Sequence, residues 1–462
     1  MKYIKCLKAS NNSIETISSN LFQKFTELKI LYLDSNNITY IKDISFKDLI
    51  NLETLHIVNN KLKSITNKTL ANLNNLEYLY IDNNQIDTIE DESFKDLINL
   101  KILSIQNNKL KSISNKTFAN LNNLMELVVD NNQIDTIEDE SFKDLINLKI
   151  LSIQNNKLKR ISKKTFVNLI NLIYLYIDNN QIDNIEDNSF KELINLDTLR
   201  IKNNKLKSIS NKTFANLTNL KYLNIYNNQI DTLEDDSFID LNSLHELKLQ
   251  KNSISKIQFG LFNLNLSNSC YVYLSYNKLV EIELWPLFLK NLEYVDLRYN
   301  KINKFTNKFG WFFANSSNLK VKNRNAVVDL SHNNITSFDD RSIQQYGVCN
   351  SKDYKTFINN IFNIFLLDNN PINCDCIASK RLLVDSYLLD AKIVNRSKCA
   401  NGKFKGQSIL DFGYCNNDSQ PIEYEYCNIL SSTRRTVLKS SAIKNTGIPI
   451  NIVYRINKNR NN

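Results

Sequence analysis

One interval governs this sequence. Asn12, Asn36, Asn60, Asn84, Asn108, Asn132, Asn156, Asn180, Asn204, Asn228 and Asn252 stand 24 residues apart. Each lies in the same apolar frame: Leu76, Leu79 and Ile81 precede Asn84, and Ile86 follows it. Eleven copies in phase mean that each copy is one small unit, too short to bury its apolar face alone, which must be covered by the next copy. Looser copies continue around Asn277, Asn300, Asn333 and Asn370, which makes fifteen repeats. Asparagine accordingly reaches 75 of 462 residues, while 7 Gly and 4 Pro exclude a collagen-like or Pro/Gly-rich disordered chain.

The frame dictates a local geometry. Leu103 and Ile105 point to one side of a short strand and Ser104, between them, to the other. So short a strand needs copies about 4.8 Å away on either side, and fifteen of them make a parallel sheet with an inner arc on the order of 70 Å. The return leg of each coil carries its own apolar columns, Ile89, Ile113, Ile137, Ile161, Ile185 and Ile209, then Phe94, Phe118, Phe142, Phe166, Phe190 and Phe214. These fill the core. The recurrent Asn stands where the chain turns out of the strand and backbone groups lose ladder partners; its carboxamide supplies both a donor and an acceptor, so its role is structural. Return legs are wider than strands, so the stack curves with the sheet on its inner, concave side.

The pattern L-x-x-L-x-L-x-x-N-x-L resembles that of the leucine-rich-repeat family over residues 1–373. After residues 303 and 336 the spacing stretches to 33 and 37 residues, leaving inserts such as 342–362 that map to loops. The stretch NPINCDC ending at Cys376 is followed by Cys399 and Cys415. An open end of such a stack exposes its core and needs a cap, and four cysteines allow three pairings. Residues 374–427 resemble the family's carboxy-terminal cysteine-rich flank, including helical spacing over 379–391 and KFKGQSIL at 403–410, although Ile372 stands where relatives carry Trp. That resemblance implies the pairs Cys374 with Cys399 and Cys376 with Cys415. A zinc site is not expected, since Cys-x-Cys lacks the C-x2-C spacing and no His lies nearby. Cys6, Cys270, Cys349 and Cys427 remain unassigned. The chain is similar to the ectodomains of Toll-like receptors and of related receptors and matrix proteins. The implied fold class is α/β, a right-handed leucine-rich-repeat solenoid curved as a horseshoe, its parallel sheet on the concave face and its carboxy-terminal cap disulfide-bonded.

Charge and histidine content narrow the function. Of the ten excess positive charges, seven follow Glu425, namely Arg434, Arg435, Lys439, Lys444, Arg455, Lys458 and Arg460. Residues 1–425 then lack the dense basic face that phosphate neutralisation demands, so nucleic acid is not the expected partner. His56, His245 and His332 lie far apart, so no catalytic residues, metal or cofactor are expected and the chain reads as a non-enzyme. A second period of 48 repeats residues 82–109 unchanged at 130–157 and alternates acidic and basic return legs, which reads as a solvated face. What differs between copies is the outward strand positions, where Tyr32, Tyr78 and Tyr80 stand and where tyrosines crowd into a patch from Tyr174 to Tyr299, Tyr276 among them. The candidate concave binding residues are Tyr174, Tyr176, Arg200, Tyr222, Tyr226, Glu246, Lys248, Tyr271, Tyr273, Tyr294, Asp296 and Arg298. Cross-strand packing on an exposed sheet is the competing explanation for the same tyrosines.

The expected function is a non-catalytic module that binds a protein ligand, an extracellular recognition or receptor ectodomain, with a homodimer as a further partner arrangement. The alternative is an intracellular scaffold or adaptor without disulfides. Paired disulfides imply an oxidising compartment, yet MKYIKCLKASNN lacks the apolar run and cleavage site of an export signal, so a truncated ectodomain fragment is expected. The sequence holds no apolar stretch of membrane-spanning length. Eleven Asn-x-Ser/Thr sequons, Asn67, Asn115, Asn211 and Asn334 among them, match what so much Asn produces by composition and decide nothing. Residues 428–462 read as a basic, flexible tail.

Overall fold

A computed structural model describes residues 3–257, 269–283, 291–306, 327–336, 364–366, 368–371 and 392–394. Strands of three to five residues, from Cys6–Lys8 to Lys392–Val394, form one 16-stranded sheet, each joined to the strand of the next coil. All pairs are parallel and the register is the sequence period itself: Leu55 opposes Leu79, Leu79 opposes Leu103, and Leu151 opposes Leu175. The expected solenoid is therefore present. The last strand falls inside the segment expected to form the cap, so the sheet runs one strand beyond the fifteen repeats counted in the sequence. The cap cysteines Cys374, Cys376, Cys399 and Cys415, and the segment 428–462, lie outside the described residues.

The core is one continuous column. Phe94, Phe118, Phe142, Phe166, Phe190, Phe214 and Phe238 stack with centroids 5.8 to 6.3 Å apart and nearly parallel planes. Leu70 takes the same place in one coil, fully buried like its neighbours. The asparagine column is equally regular. Asn156 Nδ2 donates to Val129 O, Ile153 O and Gln154 O, and its Oδ1 accepts from Ile134 N–H at 3.0 Å. Each carboxamide thus satisfies the turn of its own coil and laces it to the preceding one. The residue before it is constrained too. Asn59, Asn83, Asn107, Asn131, Asn155, Asn179, Asn203 and Asn227 all take φ between 53° and 56°, the left-handed region that Asn tolerates best after Gly. The Asn-Asn doublet is therefore two devices, a turn former and a ladder.

Two expectations change. Ser104 and Ser152 do point outward, yet both are buried, because a short hydroxyl sits beneath taller neighbours and bonds a carboxylate: Ser104 Oγ donates to Asp82 Oδ1 at 2.6 Å. The 48-residue period is also more than a solvated charge pattern. Return legs pair two by two, Ser64–Ile65 with Thr88–Ile89, Ser112–Ile113 with Thr136–Ile137, and Arg160–Ile161 with Asn184–Ile185. Within each doublet a glutamate of the acidic leg accepts a backbone N–H of the basic one, Asn67 to Glu90, Asn115 to Glu138, Lys163 to Glu186 and Asn211 to Glu234, all at 3.0 Å. Those carboxylates cap the exposed amides that open each basic turn. The doublets also explain why Ile113, Ile161 and Ile209 are buried whereas Ile89, Ile137 and Ile185 only pack against the core.

Candidate binding face

One face of the sheet is covered by the return legs and the other is open, so any site of this fold on the strands lies on the open side. The middle leucine of each strand is buried and its neighbours alternate outward, which lines up columns of side chains every 24 residues. Four buried or half-buried aspartates of one column, Asp34, Asp82, Asp130 and Asp178, recur every 48 residues and accept the N–H of Val58, Gln106, Gln154 and Lys202 at 2.7 to 2.9 Å. Burial pushes Asp82, Asp130 and Asp178 above the usual carboxylate range, against the hydrogen bonds and, at Asp178, against the Arg200 charge. They fasten strands together and present little to solvent.

The twelve candidate residues form two groups with a bridge between them. In the first, Tyr174 and Tyr176 stack at 6.3 Å, the Arg200 guanidinium lies 5.2 Å from the Tyr176 centroid, and Arg200 Nη2 is 2.8 Å from Asp178 Oδ2. Arg200 Nε is buried and has no hydrogen-bond partner. In the second, Lys248 pairs with Glu246 and lies 5.8 Å from the Tyr273 centroid, Tyr273 meets Tyr294 at 5.8 Å, and Tyr271 Oη donates to Glu293 at 2.7 Å. Arg298 grips Asp296 with two hydrogen bonds, 2.8 and 3.0 Å, and reaches Asp329 at 3.5 Å. The Asp296 bond holds the Arg298 pKa above its ordinary value, and burial pushes the Tyr294 hydroxyl up to about 12. Between the groups, exposed Tyr222 faces His245 at 6.1 Å and Tyr226 lies under Lys251 at 5.3 Å. Charges here are mutually paired and aromatic rings carry them, the composition of an interface core.

Other aromatic residues of the open face extend these groups. His56 is held between Tyr32 and Tyr80, centroids 4.7 and 4.6 Å away, with Lys8 beyond Tyr32. Its signal was available, since residues 32, 56 and 80 share one phase of the period. Tyr276, Tyr299 and His332 form a stacked rail at 4.4 and 4.3 Å, and Asn369 Nδ2 meets His332 Nε2 at 3.0 Å. All three occupy the left-handed turn position that holds Asn in most earlier coils and Ser35 and Lys251 in two, with φ of 56° to 59°. Among the cysteines left unassigned, Cys6 and Cys270 are free thiols, and burial pushes Cys270 up to about 12, an unreactive group. Among the described residues there is no cluster of ligands for a metal ion.

Comparison places this architecture among known ones. The leucine-rich-repeat family model matches in six overlapping stretches, 26–86, 75–134, 122–182, 146–205, 170–230 and 194–254. No curated protein matches the chain. Among solved structures, Drosophila Toll in its complex with Spätzle is similar at 18% identity and a TM-score of 0.61, over 88% of this chain and 54% of Toll. This chain thus spans about half the Toll chain. A leucine-rich-repeat protein of Leptospira interrogans is 23% identical with a TM-score of 0.53, over 85% of this chain and 96% of its own. The plant peptide hormone receptor RGFR1, in complex with RGF2, is 19% identical with a TM-score of 0.51, over 86% and 63%. At these identities the likeness is one of fold.

Proposed function

This chain is a leucine-rich-repeat protein, and we propose that it is a non-catalytic module that binds a protein ligand on the concave face of its sheet, between Tyr174 and His332. The observation that carries the reading is the aromatic rail. Tyr276, Tyr299 and His332 stand in a left-handed conformation that bulky side chains disfavour, at a turn position that most earlier coils give to Asn. Aromatic side chains kept in a turn that the fold otherwise gives mostly to Asn, and aligned there as a continuous stack, point to recognition. Arg200, laid on Tyr176 and paired with Asp178, keeps 35% of its side chain exposed on the same face, where an acceptor on a ligand can meet it. Two structures of like fold carry protein or peptide partners, Toll with Spätzle and RGFR1 with RGF2.

The test is capture of proteins from a secretome by the immobilised chain and by a Tyr176→Ala, Tyr222→Ala, Tyr273→Ala variant. These side chains lie on the open face, so thermal melting stays within a few degrees of wild type, while retention of a specific ligand falls about 100-fold or more. Undiminished capture by the variant removes the reading.

The extracellular setting is part of the same proposal and rests on the four-cysteine segment. Peptide mapping without reduction is expected to find Cys374 joined to Cys399 and Cys376 to Cys415. Free thiols at all four would favour an intracellular scaffold instead.

A further inference from the structure

The flat side of the stack, where each return leg re-enters the strand, carries an apolar row that the binding face does not use. Ile146, Ile170 and Ile194 occupy one position of three successive coils and are 44 to 48% exposed. The coils before and after have Asn122 and Thr218 there, so the fold does not demand isoleucine. The row is rigid: Asn171 Nδ2 donates to Ile146 O and Asn195 Nδ2 to Ile170 O, at 2.8 and 2.9 Å, part of a second asparagine ladder that fixes each coil against the last. Three residues further along each coil, where it enters the strand, the same coils carry Lys149, Ile173 and Asp197. Asp197 pairs with Lys221 at 2.7 Å, whereas Lys149, between Met125 and Ile173, enters no ion pair among the described residues.

We propose that this flank is a self-association surface, in which a second copy docks about a two-fold axis through the coil of Ile170 and Ile173. An axis lying in the flank, perpendicular to the stack, reverses the order of coils and keeps the rows. Ile170 then meets its counterpart, Ile146 meets Ile194 of the second copy, and Lys149 meets Asp197 of the second copy, twice over. The arrangement is isologous and charge-complementary. Of the three registers centred on neighbouring coils only this one sets Lys149 against Asp197, since moving the axis one coil earlier opposes Lys149 to itself and one coil later opposes Asp197 to itself. The short apolar row makes this a weak dimer, in the micromolar range. It is independent of the concave-face reading.

Sedimentation velocity of the full chain from about 1 to 100 µM is expected to show a concentration-dependent monomer–dimer equilibrium. The variant Ile170→Asn, Ile173→Glu installs the residues that Asn74 and Glu77 already supply at these positions, so it folds, and it is expected to weaken dimerisation at least about tenfold. Lys149→Asp alone, and Asp197→Lys made with Lys221→Asp so that the pair within the chain is kept, are each expected to weaken it similarly, and all three together to restore it to within about threefold. A wild type that stays monomeric throughout overturns the proposal and leaves the flank to another macromolecule. So does an isoleucine variant that dimerises like wild type, or a charge swap that fails to recover what the separate changes lose.

Discussion

Replacing Asn156 by alanine is expected to destabilise the protein by about 2 to 4 kcal/mol, read as a fall in the urea midpoint. The carboxamide is nearly inaccessible and makes four hydrogen bonds, three donated to carbonyls and one accepted from the amide of Ile134. Alanine leaves the Ile134 N–H buried without a partner, at a cost of about 1 to 3 kcal/mol, and removes one of the two donors to each of the Val129 and Ile153 carbonyls, which keep Asn132 Nδ2 and Asn180 Nδ2. Because that amide and the Val129 carbonyl both belong to the preceding coil, the loss is one of coupling between neighbours. In a linear stack, whose stability is a sum of unit and interface terms, that weakens cooperativity as well as stability. The apparent m value should therefore fall along with the midpoint. The neighbouring Asn155, at φ of 55°, is the control. Glycine there relieves a left-handed conformation while loosening the unfolded chain, and the two effects nearly cancel. If Asn155→Gly and Asn156→Ala cost the same, the ladder is not what joins the coils.

Reading one copy of the repeat at a time reveals what each coil does for itself, and this decided how much of the fold was legible. The strand, the alternation of Leu103 and Ser104, the phenylalanine column and the solenoid all follow from residues within a 24-residue window. What was missed arises between windows. The burial of Ser104 depends on Asp82 and on taller side chains in adjacent coils. The pairing of return legs into doublets depends on Glu90 reaching the amide of Asn67, 23 residues earlier. The second ladder, in which Asn171 holds Ile146, lies on the surface where asparagine looks merely polar. The binding face was legible in kind and less so in extent. Tyrosine and arginine were recognisable as contact residues, but Tyr276, Tyr299 and His332 become a single feature only once their backbone conformation and stacking are known. His56 looked isolated because the other histidines are distant in sequence, whereas its true neighbours are Tyr32 and Tyr80, one coil away on each side.

The phenylalanine column offers the second large effect, and a built-in comparison. Phe166 is buried between Phe142 and Phe190, 6.3 and 5.8 Å away, and no polar group competes for its site. Truncation to alanine removes the ring's burial and its stacking on both sides, an expected loss of about 3 to 5 kcal/mol. Leucine is different, since Leu70 fills the equivalent space in its own coil with 1% exposure. Phe166→Leu should therefore cost less than about 1.5 kcal/mol, the range for a core exchange that the site can accommodate. The position of Phe166 matters as much as its size. It lies near the middle of the regular coils, so a void there separates two arms that are each long enough to keep their own core. Scanning calorimetry of Phe166→Ala is expected to resolve the single wild-type transition into two. Phe94→Ala, nearer one end, should instead release a shorter arm at lower temperature and leave the longer one close to its original melting point. One sharp transition at a uniformly lowered temperature in both variants would mean that the stack melts as a block, held by the asparagine ladders and the sheet, with the ring column contributing burial but no coupling.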